Sequence, residues 1–133
     1  MHRVVIDTNV LVSAIVWGGK PRELVIKLFE KHTVILSSQM LTELSDVISR
    51  DKFRVKTFQV KRFLEDLKNK STIINCTAFF NVIAEDPDDN NVLDTAYGGK
   101  AEFIITGDKH LLALGKFKRT KIVTVNDMLE IIR

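Results

Sequence analysis

Residues Arg3–Trp17 read RVVIDTNVLVSAIVW and place two different periods back to back. Arg3–Asp7 is a short β-branched run, the signature of a buried strand. From Thr8 onward Val10, Leu11, Ala14 and Ile15 recur at helical spacing, and Gly18–Gly19 end that helix. Strand passes to helix across one acidic residue, Asp7.

The same alternation continues outward. Pro21 suits the first position of a second helix, where its missing N–H has no partner to lose, and Leu24, Leu28 and Phe29 carry it toward His32. Thr33–Ser37 (TVILS) is the second strand. Ser37 or Ser38 then caps a helix with Met40, Leu41, Leu44, Val47 and Ile48 on one face. A polar break at Asp51–Lys56 precedes a helix over Phe58–Asn69, with Val60, Phe63, Leu64 and Leu67 inward, and Ser71–Cys76 is the third strand. Thr77–Asp89 begins apolar and ends in EDPDD. Asp86 before Pro87 starts a helix with Val92, Leu93 and Ala96 inside, stopped by Gly98–Gly99. Phe103–Thr106 (FIIT) is strand four, and Gly107–Asp108 turns into a short helix bearing Leu111, Leu112 and Leu114. Ile122–Val125 is strand five, and Asn126 caps a final helix, Asp127–Ile132. This order predicts an α/β fold: a parallel sheet covered by helices on both faces, joined by right-handed crossovers.

Composition narrows the class. The 133 residues are 45% apolar and 28% charged, which suits one globular domain over 1–133 and argues against a disordered chain. No apolar run approaches the ~20 residues of a membrane span. Asp7 interrupts the N-terminal apolar stretch too early for a secretory signal. The single cysteine, Cys76, cannot form an internal disulfide and is expected to pack in the core, so the cytoplasm is the expected compartment. Net charge is +3 with a pI near 9.1, which permits a polyanionic partner without requiring one.

In open parallel sheets, ligands bind beyond the carboxyl ends of the strands. Asp7 closes strand one, Asp108 follows strand four, and Asp86, Asp88 and Asp89 crowd the helix start before strand four. Glu43 lies about one and a half turns into the helix after strand two. Taken singly, each acid reads as well as a cap or a surface charge: Asp7 as the N-cap of the Thr8 helix, EDPDD as a capping cluster. Together they point to a metal site, because converging carboxylates need cations at neutral pH. Oxygen ligands suit Mg²⁺ or Mn²⁺, and no Cys/His cluster suits zinc. His2, His32 and His110 are far apart and are expected to be solvated or locally bonded.

Four motifs in order, DTNVLVSA at Asp7–Ala14, SSQMLTEL at Ser37–Leu44, DPDDNNVLDTA at Asp86–Ala96 and TGDKHLL at Thr106–Leu112, resemble the PIN-domain family over essentially the whole chain. Within it they are similar to the VapC-like toxins of toxin–antitoxin pairs. The resemblance implies a three-layer α/β/α sandwich around a five-stranded parallel sheet of order 3-2-1-4-5, and Mg²⁺- or Mn²⁺-dependent ribonuclease activity. It implies Asp7, Glu43, Asp89 and Asp108 as the four acids that place the metal. The third position stays open between Asp89, Asn90 and Asp94, with Asp86 beside them. Asn9 resembles the polar residue of the D-x-N motif, and Thr8 and Thr106 resemble contacts to the metal's waters or to its ligands.

Two basic groups offer an RNA path: Lys52, Arg54, Lys56, Lys61 and Arg62, and then Lys116, Lys118, Arg119 and Lys121. Trp17, Phe53 and Phe58 are expected in the core rather than stacked on bases. Val12, Ile15, Val16, Trp17, Leu24 and Phe29 exceed what one face of a short helical pair can bury, which points to a homodimer, and the resemblance adds an antitoxin partner. The competing readings are a non-catalytic RNA- or partner-binding module of the same fold, an RNA-processing nuclease outside any toxin system, and a phosphoryl-accepting domain. The exit of strand five, IVTVND, lacks the lysine that the last would need.

Overall fold

The computed structural model describes residues 1–50, 57–76 and 87–133, with the backbone alone for residues 57 and 87–89. Its elements run β1 (Arg3–Ile6), α1 (Thr8–Val16), α2 (Gly19–Lys31), β2 (Thr33–Ser37), α3 (Ser38–Ile48), α4 (Thr57–Lys70), β3 (Thr72–Ile74), α5 (Pro87–Gly98), β4 (Phe103–Ile105), α6 (Lys109–Leu114), β5 (Lys116–Phe117), β6 (Thr120–Val123) and α7 (Val125–Ile131). The expected break at Asp51–Lys56 and the segment from Thr77 to Asp86 lie outside the described residues, as do Phe53, Lys52, Arg54 and Lys56.

The sheet has the order β3-β2-β1-β4-β6-β5. Its first five strands are parallel and follow the expected order. Successive side chains in β1 and β2 point to opposite faces, yet Val4, Val5 and Ile6, and Val34, Ile35 and Leu36, are all fully buried. Both faces of the sheet are therefore covered, as a three-layer α/β/α sandwich requires. The outer strand β3 is open, with Thr72 and Ile73 exposed.

Several boundaries differ from the sequence reading. A sixth strand, β5, pairs antiparallel with β6 through Lys116↔Lys121 and Phe117↔Thr120. It is two residues long, too short to show a period. Its turn uses Lys118 at φ 55°, a conformation that sequence alone did not suggest. The fifth parallel strand starts two residues early because Thr120 is buried and donates its hydroxyl to Ala101 O at 2.7 Å. Thr124, not Asn126, caps the last helix: its hydroxyl accepts from Asp127 N, and Asp127 reaches back to Thr124 N, a full capping box. α2 begins at Gly19, so Pro21 is its third residue, still inside the first turn where N–H groups have no helical partner. Ser37 caps α3, accepting from Met40 N at 3.1 Å.

The core expectation fails for two aromatics. Trp17 is 79% exposed, because α1 ends just before it and the chain turns away at Gly18–Gly19, and Phe58, in the first turn of α4, is 70% exposed. Cys76 is half-buried and sits 3.6 Å from the Thr95 hydroxyl rather than in the apolar core.

The sheet and α5 approach so closely that a side chain at Gly99 has no room. A Cβ there would lie 2.6 Å from Ile35 Cγ2 and 3.2 Å from Thr95 O. Gly99→Ala is expected to cost about 1–3 kcal/mol through overpacking. Gly107→Ala, with nothing within 4 Å of its Cβ, should stay within about 0.5 kcal/mol. Urea denaturation of the two variants checks this, and equal midpoints would contradict the close approach.

Candidate active site

The register of β1 and β4 pairs Ile6 with Ile105, so the chain leaves both strands side by side. The next residues are Asp7 and Thr106, held together by Asp7 N donating to Ile105 O at 2.9 Å. Thr106 is fully buried, and its hydroxyl donates to Asp7 Oδ2 at 2.6 Å. The Thr106 hydroxyl oxygen in turn accepts from Asp108 N at 3.0 Å. One hydroxyl thus orients one carboxylate and the backbone of the other.

Asp7 is the N-cap of α1, yet its cap bond from Asn9 N to Oδ1 is long, 3.4 Å. Only 5% of the residue is exposed. Burial raises its carboxyl pKa above the ordinary value; the Thr106 and Asn9 hydrogen bonds oppose this, and the negative charge of Asp108 adds to the rise. Asp108 caps α6 through Oδ1, which accepts from His110 N at 2.8 Å and Leu111 N at 3.2 Å. Among the described residues no donor bonds its Oδ2. Capping, the bland reading of both acids, accounts for one oxygen of Asp108 and weakly for one of Asp7. It does not account for a carboxylate sealed in the core at the carboxyl edge with a second acid beside it. Asp7 Oδ1 and Asp108 Oδ2 are anionic oxygen donors of the kind that a hard divalent cation takes while keeping most of its water. Among the described residues no three His, Cys, Asp or Glu side chains are grouped to hold a metal ion.

The other expected residues lie as follows. Thr8 is 3% exposed, while Asn9 is exposed and lines a cavity of about 690 Å³ together with Thr106 and Asp108. Glu43 is half-buried on α3 and lines a different cavity of about 450 Å³, shared with Asn91 of α5. Asn90 and Asp94, one turn apart on α5, are 8% and 3% exposed. Asp86 and the side chains of Asp88 and Asp89 lie outside the described residues. His2 pairs with Glu102 at 2.9 Å and stacks on His32, at the opposite edge of the sheet from Asp7.

The basic group Lys116–Lys121 is also at that opposite edge. Lys121 is level with Phe103 at the start of β4, whereas the acids follow its end. Residues that precede a parallel strand sit at the amino edge, so this group does not flank the acids. Lysines beside them were missed: Lys20 and Lys109 line the 690 Å³ cavity, with Asn126. Their signal was weak, since Lys20 lies just after two glycines read only as a helix stop.

Two outcomes follow from the Thr106–Asp7 pair. Because burial raises the folded-state pKa of Asp7, the folded protein binds its proton more tightly than the unfolded chain. Stability from this group is greatest below about pH 3.8 and falls as pH rises through the raised value. Asp7→Asn keeps the cap and cannot ionise, so in EDTA at neutral pH it should melt higher than wild type, and the gap should close toward pH 4; Mg²⁺ should raise only wild type. A variant melting below wild type in EDTA would contradict this. Thr106→Val should cost about 1–3 kcal/mol by leaving Asp7 Oδ2 without its donor, and Thr106→Ser should recover most of it; equal stability of the two would deny the bond its role.

A family model of the PIN domain matches residues 3–110, a span that holds all the acids above. An uncharacterized protein of Methanocaldococcus jannaschii is 38% identical over 117 residues, covering 84% of this chain and 74% of the relative. In fold the chain is similar to one chain of the crystal structure of VapBC2 from Rickettsia felis bound to a DNA fragment from their promoter. The TM-score is 0.68 at 18% identity, with 92% of this chain and 98% of the other covered. The strand order, the acids at the strand exits and the match over 3–110 agree: the chain belongs to the PIN-domain family.

Proposed function

We propose that this protein is a metal-dependent endoribonuclease that hydrolyses phosphodiester bonds of single-stranded or structured RNA, as the cytoplasmic toxin of a toxin–antitoxin pair. The observation that carries this reading is the buried Asp7 carboxylate beside Asp108 at the carboxyl edge, both oriented by Thr106. Membership of the PIN-domain family supports the nuclease, and the fold shared with a VapBC2 chain supports the toxin.

Asp7, Glu43, Asp89 and Asp108 are the carboxylates proposed to hold Mg²⁺ or Mn²⁺. Asp94 is a strong competitor for the third place, since a carboxylate 3% exposed is held by more than helix propensity. Such an ion neutralises charge on the scissile phosphate and lowers the pKa of bound water. The protein's own part is placement. Thr106 fixes the Asp7 rotamer and the start of α6, and the α6 N–H groups fix Asp108. Sealing Asp7 from water makes its ionised form depend on a cation nearby. Asn9 stands at the cavity surface, where a substrate oxygen can reach it.

A homodimer and an antitoxin belong to the same reading. Val12 and Leu24 are spent in the chain's own core, and Ile15, Val16 and Phe29 are partly buried. Trp17, Ile26 and Phe58 stay exposed, and the last two rim a groove of about 620 Å³.

The test is cleavage of a fluorescent single-stranded RNA. Asp7→Asn should fold normally and lose more than about 100-fold of the Mg²⁺- or Mn²⁺-dependent rate, because even residues that merely orient metal ligands are worth 10–100-fold. Full activity in a normally folded Asp7→Asn protein would refute the mechanism.

A further inference from the structure

Two carboxylates at one edge repel a polyanion, so an RNA backbone reaching them needs cations close by. The cavity beside the acids supplies them. Asn9, Thr106 and Asp108 line it together with Lys20, Lys109 and Asn126. We infer that Lys20, steered by Asn126, forms a subsite that holds an RNA backbone phosphate flanking the scissile bond; this rests on the ribonuclease reading.

The chain is built to put Lys20 there. Gly18 and Gly19 both take positive φ, 76° and 61°, a pair of conformations that side chains resist. This reverses the chain after α1 and brings the start of α2 over the cavity. Arg22, the neighbouring cation, is already committed: its guanidinium donates to Ala14 O at 2.8 Å and Ile15 O at 3.0 Å, closing the end of α1. Lys20 instead bonds a neutral partner, with its Nζ donating to Asn126 Oδ1 at 3.3 Å. Asn126 is the second residue of α7, which packs against α2. A neutral amide positions the ammonium without cancelling its charge, so the charge remains available to a phosphate. An ion pair in its place would not leave it so. The ligand that fits is a phosphodiester, bound by charge and not by base identity.

The experiment measures binding of a labelled single-stranded RNA of mixed sequence by fluorescence anisotropy, in EDTA and across a salt series, with cleavage in Mg²⁺ followed separately. Lys20→Gln should weaken binding by roughly fivefold or more and flatten the log–log salt slope by about 0.7, the value of one phosphate contact on a single strand. In cleavage it should raise KM with little change in kcat. Lys20→Arg should restore both the affinity and the slope. Asn126→Asp keeps a partner for Lys20 but neutralises it, and should flatten the slope as Lys20→Gln does; a purely structural role for Asn126 would leave the slope alone. Unchanged affinity and slope in Lys20→Gln, with wild type cleaving RNA, would overturn the subsite and leave the nuclease standing. Lys20-dependent binding by a wild type that cleaves nothing would keep the subsite and sink the nuclease. No RNA binding by wild type even at low salt would overturn both.

Discussion

The hydroxyl of Thr106, donating to Asp7 Oδ2 at 2.6 Å and accepting from Asp108 N at 3.0 Å, ties the two central strands to the chemistry at their ends. It can do so only because β1 and β4 are parallel neighbours in a register that releases Asp7 and Thr106 together. Packing fixes that register. Val4, Val5, Ile6, Ile104 and Ile105 have no exposure, and slipping either strand by one residue would turn each of them from the close-packed layer that fits it into the opposite one. The rigidity of the core is thereby passed on to a pair of carboxylates.

The fold was legible to the extent that burial writes itself as pattern. RVVID, TVILS and FIIT are β-branched runs flanked by helical periods, and their order alone leads to a doubly covered parallel sheet. What eluded sequence reasoning was set by hydrogen bonds instead of hydrophobicity. Thr120 joined its strand through a bond to Ala101 O, and Thr124 displaced Asn126 as a cap through a reciprocal bond with Asp127. Trp17 looked like core because it ends an apolar run, but two positive-φ glycines swing the chain away before it can pack.

The site was legible in part for the same reason. Asp7 follows β1 directly and Asp108 stands three residues past the end of β4, so their edge is fixed by the direction of the chain. Glu43 is different: spacing put it on α3, but the cavity it faces depends on how α3 meets α5, which no spacing reveals. The basic group around Arg119 offered an RNA path in the sequence without an edge to place it on; residues before a parallel strand lie at its amino edge, away from the acids. Lys20 comes near the acids only through three-dimensional closure of α2 on α7. The resulting division is physical: a buried and a half-buried acid at the carboxyl edge, lysines lining the same cavity, and other cations at the far edge.

On the proposed reading, the Asp7 and Asp108 carboxylates hold a divalent cation. Anomalous difference density from a crystal of the wild-type protein grown with Mn²⁺ decides the matter. A peak is expected within ligand distance of Asp7 Oδ1 and Asp108 Oδ2, lost when Asp7 is replaced by Asn. An ordered carboxyl edge at saturating Mn²⁺ with no peak there, or Mn²⁺ bound only elsewhere on the molecule, would contradict it.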